Sequence, residues 1–153
     1  MCMVLYAAAD VPLPTIDTGN PPPLLSVQLL GPDEQDVRVH FSKRHAYVLG
    51  AHTGCSCGFS YGDGDGTDAW GRESVRRLSA YLASAVERAG PIELFACWNG
   101  DETKPLEIRA TITPGEFDAD RERFALAERW LAVVVSGTDA ADRGAAEGRA
   151  PQE

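Results

Sequence analysis

The sequence predicts a single α+β domain in which a mixed, mostly antiparallel sheet is covered by one main amphipathic helix. The chain has 153 residues, which is the usual size of one domain with its own core. One long segment has helical periodicity, whereas most other apolar segments are short or alternate with the period of two that is typical of strands. Several connections are as short as hairpin turns, which favours antiparallel neighbours.

Seven short segments are predicted as strands, and a proline-rich loop follows the first of them. Residues 10–23 contain five prolines, which fix φ and lack a donor N–H, so this stretch is an extended loop. Residues 123–135 have mixed propensities, and the apolar run Ala-Val-Val-Val favours a strand in their second half. The other predicted strands are residues 3–8, 24–30, 37–41, 46–51, 92–97 and 106–113.

The helix is predicted over residues 69–89. Apolar side chains such as Leu78 and Leu82 recur there at spacings of three and four, and Gly90-Pro91 supplies a stop. Residues 138–153 are rich in Gly, Ala and charged residues and have no periodic apolar face. The domain is therefore expected over residues 1–137, followed by a disordered tail over 138–153.

Composition and charge exclude several classes of function. There are 14 Lys+Arg against 23 Asp+Glu, which gives a net charge of −9 and argues against a nucleic-acid partner. Apolar runs such as residues 131–135 are far shorter than the roughly 20 residues of a membrane span. No basic segment precedes the apolar start of the chain, as a secretory signal would require. We expect a cytoplasmic protein with no membrane partner; a protein partner or a homo-oligomer stays open.

Four cysteines are the most informative residues: Cys2, Cys55, Cys57 and Cys97. Thiols stay reduced in the cytoplasm, so they are expected to be metal ligands, reactive groups or core residues rather than a disulfide framework. A core role is the plainest interpretation for Cys2 and Cys97, because free cysteine is among the most buried residue types.

The preferred hypothesis is a thiolate metal site. Cys55 and Cys57 lie in a glycine-rich loop, Cys97 ends a predicted strand, and the fourth ligand is either Cys2 or His52. Such a set fits tetrahedral Zn²⁺ with Zn–S bonds of about 2.3 Å, although Cu(I) or an iron–sulfur cluster also accepts thiolates. Thiolates must lose protons to bind, so the affinity should fall at acid pH. The hypothesis requires Cys97 to lie beside the Cys55–Cys57 pair.

Two other functions stay open. In a thiol-dependent enzyme or redox protein, Cys55 or Cys57 would attack and His52 would act as base. The opening Met-Cys also resembles N-terminal nucleophile hydrolases, in which removal of Met1 would leave Cys2 as the nucleophile. A non-catalytic interaction module would instead present Trp70, Trp98 and the acidic surface to a partner.

Three motifs together resemble a group of small bacterial proteins of unassigned activity. They are MCxVLY at residues 1–6, HxxCxCGF at 52–59 and CWNGDE at 97–102. The resemblance extends from residue 1 to about residue 137. It implies one intact fold over that range and implies no mechanism.

Overall fold

The fold is built on one mixed six-stranded sheet. The computed structural model describes residues 1–64, 66 and 68–141. The strand order is β2-β3-β1-β4-β6-β5, and every neighbouring pair is antiparallel except β5 and β6. The elements are β1 (Met3–Ala9), β2 (Leu25–Leu29), β3 (His45–Ala51), α1 (Asp68–Ala89), β4 (Ile92–Trp98), β5 (Ile108–Ile112) and β6 (Trp130–Val134). This confirms the predicted α+β class and the main helix.

The two faces of the sheet are covered by different elements. The face against α1, called the helix face, buries Leu78 and Leu82 of the helix completely. The opposite face is covered by a 3₁₀ segment, Pro32–His40, whose Val37 packs against Tyr6 and Phe95. Both faces of the central strands β1 and β4 are therefore buried, which explains their nearly continuous apolar sequences.

The prediction of a strand at residues 37–41 is wrong. Pro32 begins the 3₁₀ segment, and the Glu34 carboxylate accepts a hydrogen bond from the Gly31 N–H at 2.7 Å. These features typically start a helix. Val37 is fully buried but Val39 is 67% exposed, so the apolar alternation does not mark one buried face.

The Asn-Gly pair after β4 is typical of a hairpin turn, but β4 forms no hairpin with β5. Asn99 and Gly100 do form a turn, with Gly100 at φ +100°, but β4 pairs with β6 and not with the next strand. Most of β6 is buried, whereas most of β5 is exposed. The more apolar strand therefore takes the inner position, and β5 forms the edge beside it in parallel.

The remaining expectations concern the chain ends and the architecture. Residues 137–141 form a helical turn, and the rest of the predicted tail, 142–153, lies outside the described residues. The described part of the chain forms one sheet, not the stacked sheets of N-terminal nucleophile hydrolases. Among the described residues, no helix is both long enough and apolar enough to cross a membrane.

Candidate metal centre

The loop after β3 positions two of the cysteines. The Ala51 N–H donates to the Cys55 carbonyl at 3.0 Å, and the Gly54 N–H donates to the Ala51 carbonyl at 2.9 Å. Gly54 has φ +83°, a conformation that a side chain disfavours. A short 3₁₀ turn, Ser56–Phe59, then carries Cys57. The tight turn thus returns Cys55 and Cys57 to the end of the strand that precedes them.

A buried hydroxyl group fixes this loop to the sheet. Ser56 is 2% exposed, and its Oγ accepts the Leu5 N–H at 2.8 Å while donating to the Leu49 carbonyl at 2.5 Å. Leu5 and Leu49 are register partners in β1 and β3, so the hydroxyl bridges the two strands beneath the cysteine loop.

Close packing also constrains the loop at Gly58. A Cβ atom at this position would lie 2.7 Å from Thr53 Oγ1 and 2.9 Å from Ala51 Cβ. Both distances are shorter than a carbon atom tolerates, so the loop closes this tightly because residue 58 has no side chain.

The start of β1 brings the third cysteine to the loop. The Met3 N–H donates to Cys57 Sγ at 3.2 Å, and the Asn99 N–H donates to the Cys2 carbonyl at 2.8 Å. Cys2 therefore lies between the cysteine loop and the end of β4.

Three of the predicted site residues come together. The Sγ atoms of Cys2, Cys55 and Cys57 all lie within 4.8 Å of one another, close enough to bind a metal ion. In a tetrahedral zinc site, bonds of about 2.3 Å place the sulfurs about 3.8 Å apart. The three thiols are free, with Cys2 exposed and the other two half-buried. Movements of the sulfur atoms by about 1 Å or less would therefore bring them to the spacing of a zinc site.

The two loop cysteines differ in acidity. Burial opposes ionisation of Cys55, but hydrogen bonds from Thr53, from the Cys57 backbone and from the neighbouring thiols hold its pKa below the usual value. Burial raises the pKa of Cys57, and the neighbouring Cys55 raises it further. Of the two loop cysteines, Cys55 therefore ionises more readily.

Cys97 lies outside this group, so the expected convergence of four sulfurs does not occur. Its side chain is fully buried on the opposite face of the sheet, packed with Tyr6 and Val37, whereas Cys57 packs on the helix face. The reason is strand alternation: Ile92, Leu94 and Ala96 take the helix face and leave Cys97 on the other side. Burial, together with the charges of Glu102, Asp101 and Glu128, raises the pKa of Cys97 to about 12.

His52 also lies outside the three-cysteine group. The backbone N–H of His52 donates to Ser74 Oγ at 3.1 Å, and the ring Nδ1 lies 3.3 Å from the same hydroxyl on α1. The histidine thus docks the start of the loop against the helix.

Beside the three cysteines is a groove that the sequence did not reveal. It has a volume of about 220 Å³ and includes Cys2 and Cys55 in its wall. Its polar side chains other than the cysteines come from β2, from the 3₁₀ segment, from the cysteine loop and from the turn after β4: Ser26, Gln28, Glu34, Ser56 and Asn99. The sequence does not reveal the groove, because only the tertiary fold brings these elements together.

The two tryptophans of the interaction-module hypothesis lie in different environments. Trp70 is 60% exposed near the start of α1, whereas Trp98 is partly buried against the core of the helix face. Only Trp70 of this pair is well placed to contact a partner.

Comparison of the chain with protein-family models, with curated proteins and with solved structures finds no match. The three-cysteine group is therefore the feature from which a function is proposed.

Proposed function

We propose that this chain is a small cytoplasmic protein that binds one Zn²⁺ ion through Cys2, Cys55 and Cys57. The observation that carries the proposal is the meeting of three sulfur atoms, from two distant parts of the chain, within 4.8 Å of one another. Thiolates suit zinc, and the site can form by small shifts of side chains. Four free thiols fit a reducing compartment.

Three protein ligands leave the ion one open position. Structural zinc sites are closed by four protein ligands, whereas sites with three keep a position for water or an exogenous ligand. Within the described residues, no fourth Cys, His, Asp or Glu joins the group. The zinc would therefore be accessible from outside the protein rather than enclosed.

Zinc titration of the full chain and its cysteine variants tests this proposal. We expect one zinc per chain, and we expect Cys2→Ala, Cys55→Ala and Cys57→Ala each to weaken binding by more than about a hundredfold. Loss of a group that merely supports a ligand already costs about 10- to 100-fold. Cys97→Ala is the matched control and should retain full zinc binding, because Cys97 lies outside the group. Zinc bound equally by wild type and Cys57→Ala would refute the proposal, provided that circular dichroism shows both to be folded.

A second candidate function is thiol chemistry at Cys55. The lowered pKa of this residue, supported by the Thr53 hydroxyl 3.4 Å from its Sγ, increases the fraction of the nucleophilic thiolate form above that of an ordinary cysteine. His52 contacts Ser74 and lies outside the three-cysteine group, whereas the hydrogen bonds around Cys55 act on its thiol directly.

Alkylation rates distinguish the two functions. In metal-free protein at pH 7, Cys55 should react with iodoacetamide several times faster than Cys57, because both are half-buried but their pKa values shift in opposite directions. Cys97 should stay unmodified until the protein unfolds. Peptide mass spectrometry at partial modification measures the order. Under the metal proposal, saturating zinc should protect Cys55 and Cys57; undiminished reactivity of Cys55 in the presence of zinc would favour thiol chemistry.

A further inference from the structure

The groove beside the three cysteines offers a route to the open position of the proposed zinc site. Cys2 and Cys55 line it directly, whereas Cys57 packs behind them on the helix face. A molecule in the groove would therefore lie next to two of the three ligand sulfurs. Its volume of about 220 Å³ is sufficient for a small molecule but not for a folded partner.

The charges of the residues that line the groove indicate which ligands it can bind. Among the described lining residues, Glu34 is the one charged side chain apart from the cysteines, and the other polar ones are neutral. Zn²⁺ with three thiolates carries a net charge of −1. The zinc site and the Glu34 carboxylate would therefore both be negative. No Lys or Arg of the described residues lines the groove to offset this charge. A cationic ligand is favoured and an anionic one disfavoured.

Glu34 is held in position to contribute this charge. It is half-buried, and its Oε2 accepts the Gly31 N–H at 2.7 Å at the start of the 3₁₀ segment. Within the described residues its Oε1 makes no hydrogen bond of its own, which leaves that oxygen for a ligand.

We propose that the groove binds a small aminothiol, with the thiolate on the zinc and the ammonium group beside Glu34. The inference rests on the proposed zinc site. A fourth sulfur suits an ion already held by thiolates. On binding, the thiol gives its proton to solvent and its sulfur replaces the water on the open position, so no oxidant or reductant is needed.

A series of thiols that differ in charge tests the inference on zinc-loaded full-length protein. Cysteamine should bind more tightly than 2-mercaptoethanol, and 2-mercaptoethanol more tightly than mercaptoacetate, as measured by calorimetry. Native mass spectrometry should show chain, zinc and cysteamine in one complex. Glu34→Gln keeps an oxygen that can accept the Gly31 N–H but removes the charge. It should weaken cysteamine binding by about two- to fivefold and leave 2-mercaptoethanol unchanged.

Glu87→Gln is the matched control, since Glu87 is exposed on α1, on the other side of the sheet. It should leave all three thiols unaffected. Failure of the wild type to bind zinc would remove the proposed function itself. If zinc binds but the thiols show no ranking by charge, if Glu34→Gln changes nothing, or if cysteamine strips the metal without forming a complex, this inference is overturned and the zinc site stands.

Discussion

Removal of zinc with a chelator is expected to lower the melting temperature of the zinc-loaded protein by about 8–16 °C. A ligand that binds only the folded state at about 1,000 times its Kd stabilises that state by about 4 kcal/mol. In a chain of this length, each kcal/mol corresponds to about 2–4 °C. The ion would link the residue before β1 to the loop after β3, two segments that separate when the chain unfolds. Calorimetric scans with and without EDTA measure the shift.

The Cys57→Ala variant supplies the control for this experiment. It lacks one of the three ligands, so its melting temperature should be the same with and without EDTA. Cys97→Ala should keep the shift, although its loss of buried volume lowers both melting temperatures. A wild type that binds zinc but melts identically after chelation would show that the ion adds nothing to the stability of the fold.

The helix and most strands could be predicted because their signals are local. α1 was predicted to begin one residue later than observed, and the strand in the second half of residues 123–135 is confirmed as β6. The strand predicted at 37–41 failed because alternation over five residues is a weak signal. Burial of Val37 and stacking of the His40 ring on Phe95, with ring centroids 4.2 Å apart, dock the 3₁₀ segment onto the sheet.

The position of Cys97 could have been predicted more closely than it was. The same alternation that assigns Ile92, Leu94 and Ala96 to one face of β4 assigns Cys97 to the other face. Cys57 packs on the helix face, so it cannot easily share a metal with that residue. The error lay in treating the end of a strand as a free position, although β4 continues through Trp98.

The arrival of Cys2 at the loop could not be predicted from the sequence. It depends on the antiparallel register of β1 with β3, in which Leu5 pairs with Leu49. This register brings the residue before β1 to the level of the residues that follow β3. Packing of both faces sets the register between strands so far apart in the chain, and no single turn fixes it. Glu34 reaches the groove for the same kind of reason, through docking of the 3₁₀ segment.

Replacement of Ser56 by alanine is expected to lower the free energy of unfolding by about 2–6 kcal/mol. The change removes the hydroxyl that accepts the Leu5 N–H and donates to the Leu49 carbonyl, and both groups lie in the interior between β1 and β3. Each buried backbone group left without a partner costs about 1–3 kcal/mol. Urea denaturation followed by circular dichroism measures the loss.

The same change should weaken zinc binding without removing a ligand, because the hydroxyl joins the strand that follows Cys2 to the loop that carries Cys55 and Cys57. We expect a loss of affinity of about 10- to 100-fold, as for other groups that orient metal ligands. Ser84→Ala is the matched control: Ser84 is exposed on α1, so its replacement should change stability by less than about 0.5 kcal/mol and leave zinc binding intact. If Ser56→Ala lowers stability but binds zinc as tightly as the wild type, then the three cysteines assemble around the ion without help from the sheet, and the site is organised by the metal itself.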